Sequence, residues 1–384
     1  MIYLDNNATT PIAPKVLECM LPYLGERFGN ASSLHPKGLE ARRGMNRARQ
    51  QVATAIGAET GEITFTSGGS ESNNLVLKGV FLAQEDFCKG HLIISSFEHA
   101  AIREPALYLQ KLGVALSIIG CSPQGVVSPK DILSAIRPDT RLVSIMHANN
   151  EIGTIQPIAA IAEICRAHNI LFHSDAAQSI GKTPVNVQTL GIDFLSVAGH
   201  KLYAPKGIGA LYIRKGIAIQ PLIQGVAHEK GIRAGTENVA YQVALGEAME
   251  RVTNYGNRYY TQMASLRDLL YSLLREGIGA ELSRNGQGTS ILPNTLSVNF
   301  PHITGIQLLE GAPEICASTS SACHSGRSTR TVTQKAIGLS ESIAAGTVRF
   351  SLGWHTTREE IEQAARLLIQ SWRRGVHRNA VSFQ

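Results

Sequence analysis

The chain has 384 residues, 43% hydrophobic and 17% charged, a balance that excludes a disordered polypeptide and leaves room for two or three domains. Its net charge of +6 is modest for this length, and no basic run interleaved with aromatics marks a nucleic-acid groove, so direct nucleic-acid binding is not expected. Six cysteines (Cys19, Cys88, Cys121, Cys165, Cys316 and Cys323) show no C-x-x-C spacing, which points away from a zinc site or a redox pair, and no metal is expected.

In chain order, the N-terminal Met1, Ile2, Tyr3, Leu4 and Asp5 lack the basic and apolar regions of a signal peptide. No uninterrupted apolar stretch is long enough to span a bilayer, and a reducing cytoplasm is the expected compartment. From residue 62 to 213, β-rich runs alternate with helical ones. Strands are expected at 63–66, 92–96, 115–119, 142–146, 170–174, 194–198 and 210–213, mostly as continuous apolar runs suited to a sheet covered on both faces. Ile158, Ile161, Ala162 and Cys165 fall at i, i+3, i+4 and i+7, which predicts a helix and places Cys165 in the core. The last two strands are joined by too few residues for a helical crossover, so the final strand is expected to run antiparallel. Residues 237–275 read as a long helical region with an apolar stripe of Leu266, Leu269, Leu270, Leu273 and Leu274, and with a kink or break expected at 254–257. Strands at 295–300 and 348–351 and a closing helix at 357–372 complete a smaller α+β unit. The expected architecture is α/β: a mainly parallel seven-stranded sheet in a large domain (14–258), with residues 1–13 and 259–384 forming the small domain.

The chemistry collects where these strands end. Asp175 closes one strand, and His200-Lys201 follow the next. Taken singly, a His-Lys after a strand is ordinarily a solvated loop and an Asp there a helix cap. Together they suit pyridoxal phosphate: the lysine as its Schiff-base partner, and the aspartate keeping the pyridinium nitrogen protonated, so that the ring accepts electrons from a carbanion. The turn Thr66-Ser67-Gly68-Gly69-Ser70-Glu71-Ser72 leads from a strand into a helix, a setting for phosphate, yet it matches neither a dinucleotide nor a Walker motif. His99 and Asn150 follow two further strands. In an open α/β sheet the carboxyl ends of the strands form the ligand crevice, so Ser67, His99, Asn150, Asp175 and Lys201 are expected to converge.

Many segments together carry a resemblance over nearly the whole chain. They include Tyr3-Leu4-Asp5-Asn6-Asn7-Ala8-Thr9-Thr10-Pro11, the Thr-Ser-Gly-Gly-Ser-Glu-Ser turn, Glu98-His99 and Asn149-Asn150-Glu151-Ile152-Gly153. Asp175-Ala176-Ala177-Gln178-Ser179, Gly199-His200-Lys201, Arg233-Ala234-Gly235-Thr236-Glu237-Asn238, Ser321-Ala322-Cys323 and Val348-Arg349-Phe350-Ser351 complete the set. With these the sequence resembles the cysteine desulfurases, class-V, fold-type I enzymes dependent on pyridoxal phosphate. The resemblance implies that Lys201 binds the cofactor covalently, Asp175 pairs with the ring nitrogen, Gln178 contacts the ring hydroxyl and His99 stacks on the ring. It implies that Gly69, Ser70 and His200 hold the phosphate, with Thr236 arriving from the partner subunit of a homodimer. Asn150 and Arg349 would hold the substrate carboxylate, and Cys323 would take sulfur from L-cysteine as a persulfide, releasing L-alanine. Proximity to His324 or Arg327 would favour the attacking thiolate.

Several positions depart from that pattern. Ala198 stands where many members carry a phosphate-binding serine. Cys323 is followed by His324 and then by Arg327-Ser328-Thr329-Arg330, without the usual Pro-Ser pair. Glu310-Gly311-Ala312-Pro313 interrupts a helix that is usually continuous. The tail after Trp372 is short, which puts docking to an iron–sulfur scaffold in doubt. Ala322-Cys323-His324-Ser325 also resembles selenocysteine lyases, the alternative within the family; an aminotransferase of the same fold would not need Cys323. The sulfur acceptor is left open among proteins of iron–sulfur assembly, tRNA thiolation and DNA phosphorothioation.

Overall fold

The computed structural model describes residues 1–83, 89–319 and 330–381. Two N-terminal helices, α1 (Pro14–Leu24) and α2 (Pro36–Ile56), precede a seven-stranded sheet. Its strands are β1 (Ile63–Thr66), β2 (His91–Ser95), β3 (Ala115–Ile119), β4 (Thr140–Ser144), β5 (Leu171–Asp175), β6 (Phe194–Ala198) and β7 (Gly209–Ile213). They lie in the order β1-β7-β6-β5-β4-β2-β3. β7 is antiparallel to both β6 and β1, and the remaining pairings are parallel. The short link from β6 allows no crossover helix, so the chain reverses. Because β7 is inserted between them, β1 runs in the same sense as β6 and delivers its carboxyl end to the same edge.

Side chains alternate across the sheet, as the strand period requires. Leu92 and Ile94 of β2 pack with α3 (Gly69–Leu82) and α4 (Ala100–Lys111) through Leu75, Phe81, Ile102 and Leu109. Ile93, Val143, Phe172 and Leu195 face the other way, onto α5 (Ile158–Ala167), where Ile158, Ile161, Ala162 and Cys165 present the expected stripe. Cys165 is a core residue, its thiol pushed up to about 12 by burial. β4 begins and ends two residues earlier than its apolar run suggests. Thr140 enters the ladder because its hydroxyl meets Nδ1 of His91 at 2.8 Å, and Met146 leaves it because its N–H donates to the Glu98 carboxylate at 2.9 Å.

α6 (Val239–Ile278) is one continuous helix of 40 residues, without the break expected at 254–257. It packs against α1, α2 and the C-terminal helix α7 (Arg358–Val381), with Leu266, Leu270 and Leu274 fully in the core. Gly256 costs about 1 kcal/mol of helix propensity, less than that packing supplies. A second, four-stranded antiparallel sheet comprises β8 (Ser283–Arg284), β9 (Thr295–Asn299), β10 (Ser318–Thr319) and β11 (Thr347–Ser351), in the order β10-β11-β9-β8. The first residues join this side of the molecule: Ile2–Tyr3 pairs in parallel with Ile315–Cys316, and Asp5 bridges to Ser351. The chain then crosses to the large sheet, where the Thr10 N–H donates to the His200 carbonyl. Among the described residues, no helix is long and apolar enough to cross a membrane.

Candidate active site

A cavity of 380 Å³ opens at the carboxyl edge of the large sheet. Gly69 and Ser70 reach it from the turn after β1, His99 from β2, Met146, Ala148 and Asn150 from β4, Asp175, Ala177 and Gln178 from β5, and Ala198, His200 and Lys201 from β6. Asn7 of the N-terminal crossing and Arg349 of β11 close the far wall. β3 contributes nothing because it is the outermost strand, beyond β2. Ser67 does not line the cavity; its N–H is turned to the Glu71 carboxylate at 2.8 Å, and its neighbours Gly69 and Ser70 take the place expected for it.

Asp175 is held in a fixed orientation. Asn73, on the buried face of α3, donates to Oδ2 at 2.7 Å, and the Ala177 N–H donates to Oδ1 at 2.9 Å. Lys201 follows β6 in a short 3₁₀ turn, and its Nζ donates to the carbonyls of Asn7 (2.5 Å) and Ala8 (2.9 Å). Burial, then the nearby Arg349 guanidinium, push its amine down to about 8, although Asp175 and Asp5 act in the other direction. Gln178 donates through Nε2 to the Asn7 carbonyl at 3.1 Å. Its Oε1 accepts from Lys182 Nζ at 2.7 Å.

His99 is exposed to the cavity, with Nδ1 accepting the Ala101 N–H at 3.1 Å, so a neutral ring carries its proton on Nε2. The preceding Glu98 is fully buried; Oε1 accepts from Ser95 Oγ at 2.6 Å and from the Met146 N–H, whereas Oε2 has no partner among the described residues. Burial raises its carboxyl to about 8, so it is protonated at neutral pH. His200 is pushed down to about 4 by burial and by Lys201, Lys206 and Lys182, and its Nδ1 lies 3.2 Å from Thr9 Oγ1. Gly68, at φ 150° and ψ −178°, opens α3 in a conformation natural to glycine and makes no side-chain cap, so the first N–H groups of that helix are available beside Ala198.

Arg349 does not present a free fork. Nη2 is paired with Asp5 Oδ1 at 2.7 Å and donates to Ser318 Oγ at 3.1 Å, and Nη1 donates to the Asn150 carbonyl at 2.9 Å. Its Nε is buried and has no partner among the described residues. Thr236 is exposed and does not line the cavity. Cys323, His324 and Arg327 lie outside the described residues. Among the described residues, no group of His, Cys, Asp or Glu is arranged to hold a metal ion.

Three residues of the site have no counterpart among the sequence-derived candidates: Asn73, Asn7 as a hydrogen-bond hub, and Lys182. Asn73 carried a signal, a polar residue one turn into a helix whose following residues, Leu75, Val76 and Leu77, are core. Lys182 carried none, because only the tertiary fold shows it to be buried.

The donor set fits pyridoxal phosphate. A carboxylate fixed by two N–H donors suits a protonated ring nitrogen, an uncapped helix start beside Ser70 and His200 suits a phosphate, and a lysine of lowered basicity stands at the same wall.

Comparison with known proteins agrees with this geometry. The family model described as aminotransferase class-V matches residues 2–364. A cysteine desulfurase IscS of Dictyoglomus turgidum is 44% identical over 365 residues, 94% of this chain and 91% of that protein. One of Methanosarcina thermophila is 44% identical over 364 residues, 94% of this chain and 89% of that protein. A solved NifS-like protein superposes with a TM-score of 0.89 at 37% identity, over 96% of this chain and 98% of that one. With its reversed strand, its strand-end cavity and these relatives, the chain belongs to the class-V aminotransferase family.

Proposed function

We propose that this chain is a pyridoxal-phosphate-dependent cysteine desulfurase that converts L-cysteine to L-alanine and passes the sulfur to an acceptor protein. The observation that carries the reading is the placement of Asp175 and Lys201 at the ends of the adjacent strands β5 and β6, facing one cavity in a class-V chain. When bound, pyridoxal phosphate supplies an electron sink for negative charge at the substrate α-carbon.

The chain's own groups do the rest. Lys201 would bind the cofactor covalently, Asp175 would hold the ring-nitrogen proton, and Gln178 would face the ring hydroxyl. His99 lines the cavity, where its ring would stack on the cofactor and its Nε2–H would donate to a bound group. Gly69, Ser70 and the neutral His200 would donate hydrogen bonds to phosphate. Thr236, exposed in one chain, would serve the partner subunit's site in a homodimer. Arg349, positioned by Asp5 and Ser318, would meet the substrate carboxylate from the cavity wall, with Asn150 beside it. The Cys323 thiolate would attack the substrate sulfur: a new S–S bond forms, the substrate C–S bond breaks with its electron pair left on the β-carbon, the proton given up by the Cys323 thiol makes up the one delivered to that carbon, and a side chain of the site returns the α-proton, giving alanine.

The division into a large domain (14–258) and a small one (1–13 with 259–384) is supported by the pairing of the first residues with Ile315–Cys316, although α6 runs unbroken through the boundary. We place the enzyme in the cytoplasm, with iron–sulfur assembly as one route for its sulfur. The test is alanine release from L-cysteine with a thiol reductant present, in the wild type and Cys323→Ala, with L-selenocysteine in parallel. Alanine from the wild type alone is expected. No alanine from L-cysteine would overturn the reading, and turnover of L-selenocysteine alone would replace it with the lyase.

A further inference from the structure

Lys182 lies four residues beyond Gln178, only 5% exposed, and belongs to no strand end that lines the cavity. Among the described residues its Nζ makes two hydrogen bonds, to Gln178 Oε1 at 2.7 Å and to Asn7 Oδ1 at 3.0 Å. Neither acceptor is a carboxylate. Burying an amine that way is unfavourable unless the contacts it makes are needed. Burial, then Lys201 and Arg349, hold its pKa well below the ordinary lysine range; protonated or neutral, it carries the two N–H groups these two oxygens take.

The consequence is orientational. An amide is two-way, since a half-turn exchanges its oxygen and nitrogen. With Lys182 donating to Oε1, the Gln178 NH₂ must point the other way, where one N–H goes to the Asn7 carbonyl at 3.1 Å and the second remains for the cavity. Asn7 is fixed in the same manner: Oδ1 also accepts from Asn294 Nδ2 at 3.0 Å, Nδ2 donates to Thr295 Oγ1 at 2.8 Å, and its carbonyl receives Lys201.

We propose that Lys182 is a positioning residue that locks Gln178 with its amide N–H toward the cavity, so that Gln178 acts only as a donor to the anionic ring oxygen of the cofactor. This rests on the cofactor reading above. A donor to that oxygen stabilises its anion and lowers the pH at which the Lys201 linkage loses its proton. The other charges at that linkage, Arg349, Asp175 and Asp5, are the same in every variant below.

The measurement is a pH titration of the visible absorbance band of the holoenzyme. Lys182→Met is expected to raise the band's pKa by about one unit. Gln178→Ala is expected to raise it similarly, and adding Lys182→Met to Gln178→Ala to add less than half that shift. Lys182→Gln, which keeps an N–H donor, is expected to stay near the wild type. A fully loaded Lys182→Met titrating with the wild type, or a shift equal in both Gln178 backgrounds, would overturn the proposal. If Lys182→Met does not fold, Gln178→Glu takes its place: its carboxylate pairs with Lys182 and has no N–H, so an unshifted band overturns the proposal equally. A wild type without a visible band that Lys201→Ala abolishes would instead overturn the cofactor reading.

Discussion

Asn73 and Asp175, 102 residues apart in sequence, share a hydrogen bond of 2.7 Å beneath the cavity. It ties the start of α3 to the end of β5, so the groups that would meet phosphate and ring nitrogen are held at one spacing. Asn73→Leu removes the donor and leaves one carboxylate oxygen unpaired. Loss of such a charge-assisted bond is worth about 1.5–3 kcal/mol, and cofactor affinity is expected to fall roughly tenfold or more. Absorbance titration of the apoprotein with pyridoxal phosphate measures it; unchanged affinity would show that Asp175 needs no such support.

Glu98 makes stability depend on pH in a predictable sense. Its folded pKa of about 8 lies above the ordinary value of 4.5, so between these limits the folded chain keeps a proton that the unfolded chain has lost. Stability is then full at the acid end and falls by up to about 1.4 kcal/mol per pH unit as pH rises toward 8. Glu98→Gln keeps an acceptor for Ser95 and Met146 and removes the titration. Denaturant unfolding of both proteins at pH 5 and pH 8 is expected to show the variant gaining on the wild type by a few kcal/mol at the higher pH.

Arg49 and Glu229 form a two-pronged ion pair, at 2.6 and 2.7 Å, with the carboxylate 4% exposed. Glu229 also accepts the Phe65 N–H at 3.0 Å, and Arg49 donates to the Ile63 carbonyl at 2.7 Å, so the pair clamps β1. Arg49→Met strands a buried carboxylate and is expected to destabilise the fold by about 3–5 kcal/mol in denaturant unfolding. Replacing both residues with apolar ones is expected to recover part of that loss.

Ala198, 4% exposed beside the opening of α3, offers a gain of function. Ala198→Ser places a hydroxyl beside Gly69 at the start of α3. One further bond to a phosphate is expected to tighten cofactor binding about tenfold, read as a slower loss of the visible band on dilution.

The legible parts of the site are those at strand ends, because sheet topology alone sends Asp175, Lys201, His99 and Asn150 to one edge, whereas Ser67, expected with them, yields its place to Gly69 and Ser70. The family resemblance added Gln178 and Arg349, yet could not reveal that Asp5 and Ser318 already occupy one arm of the arginine. Asn7 and Lys182 act through contacts that join residues up to 344 positions apart, and no local pattern encodes those. The expected break near Gly256 failed for a related reason: propensity is a local term, and packing against α1, α2 and α7 outweighs it.

Asn7 receives Lys201 on its carbonyl and donates its own N–H to the Ser351 hydroxyl, 344 residues later. At ordinary synthesis rates Ser351 leaves the ribosome roughly 20–70 s after Asn7. A nascent chain therefore carries an incomplete lysine site over that interval, and the site is finished only when the sheet that holds Ser351 closes. Stable cofactor binding is thus expected only after Ser351 has emerged and folded.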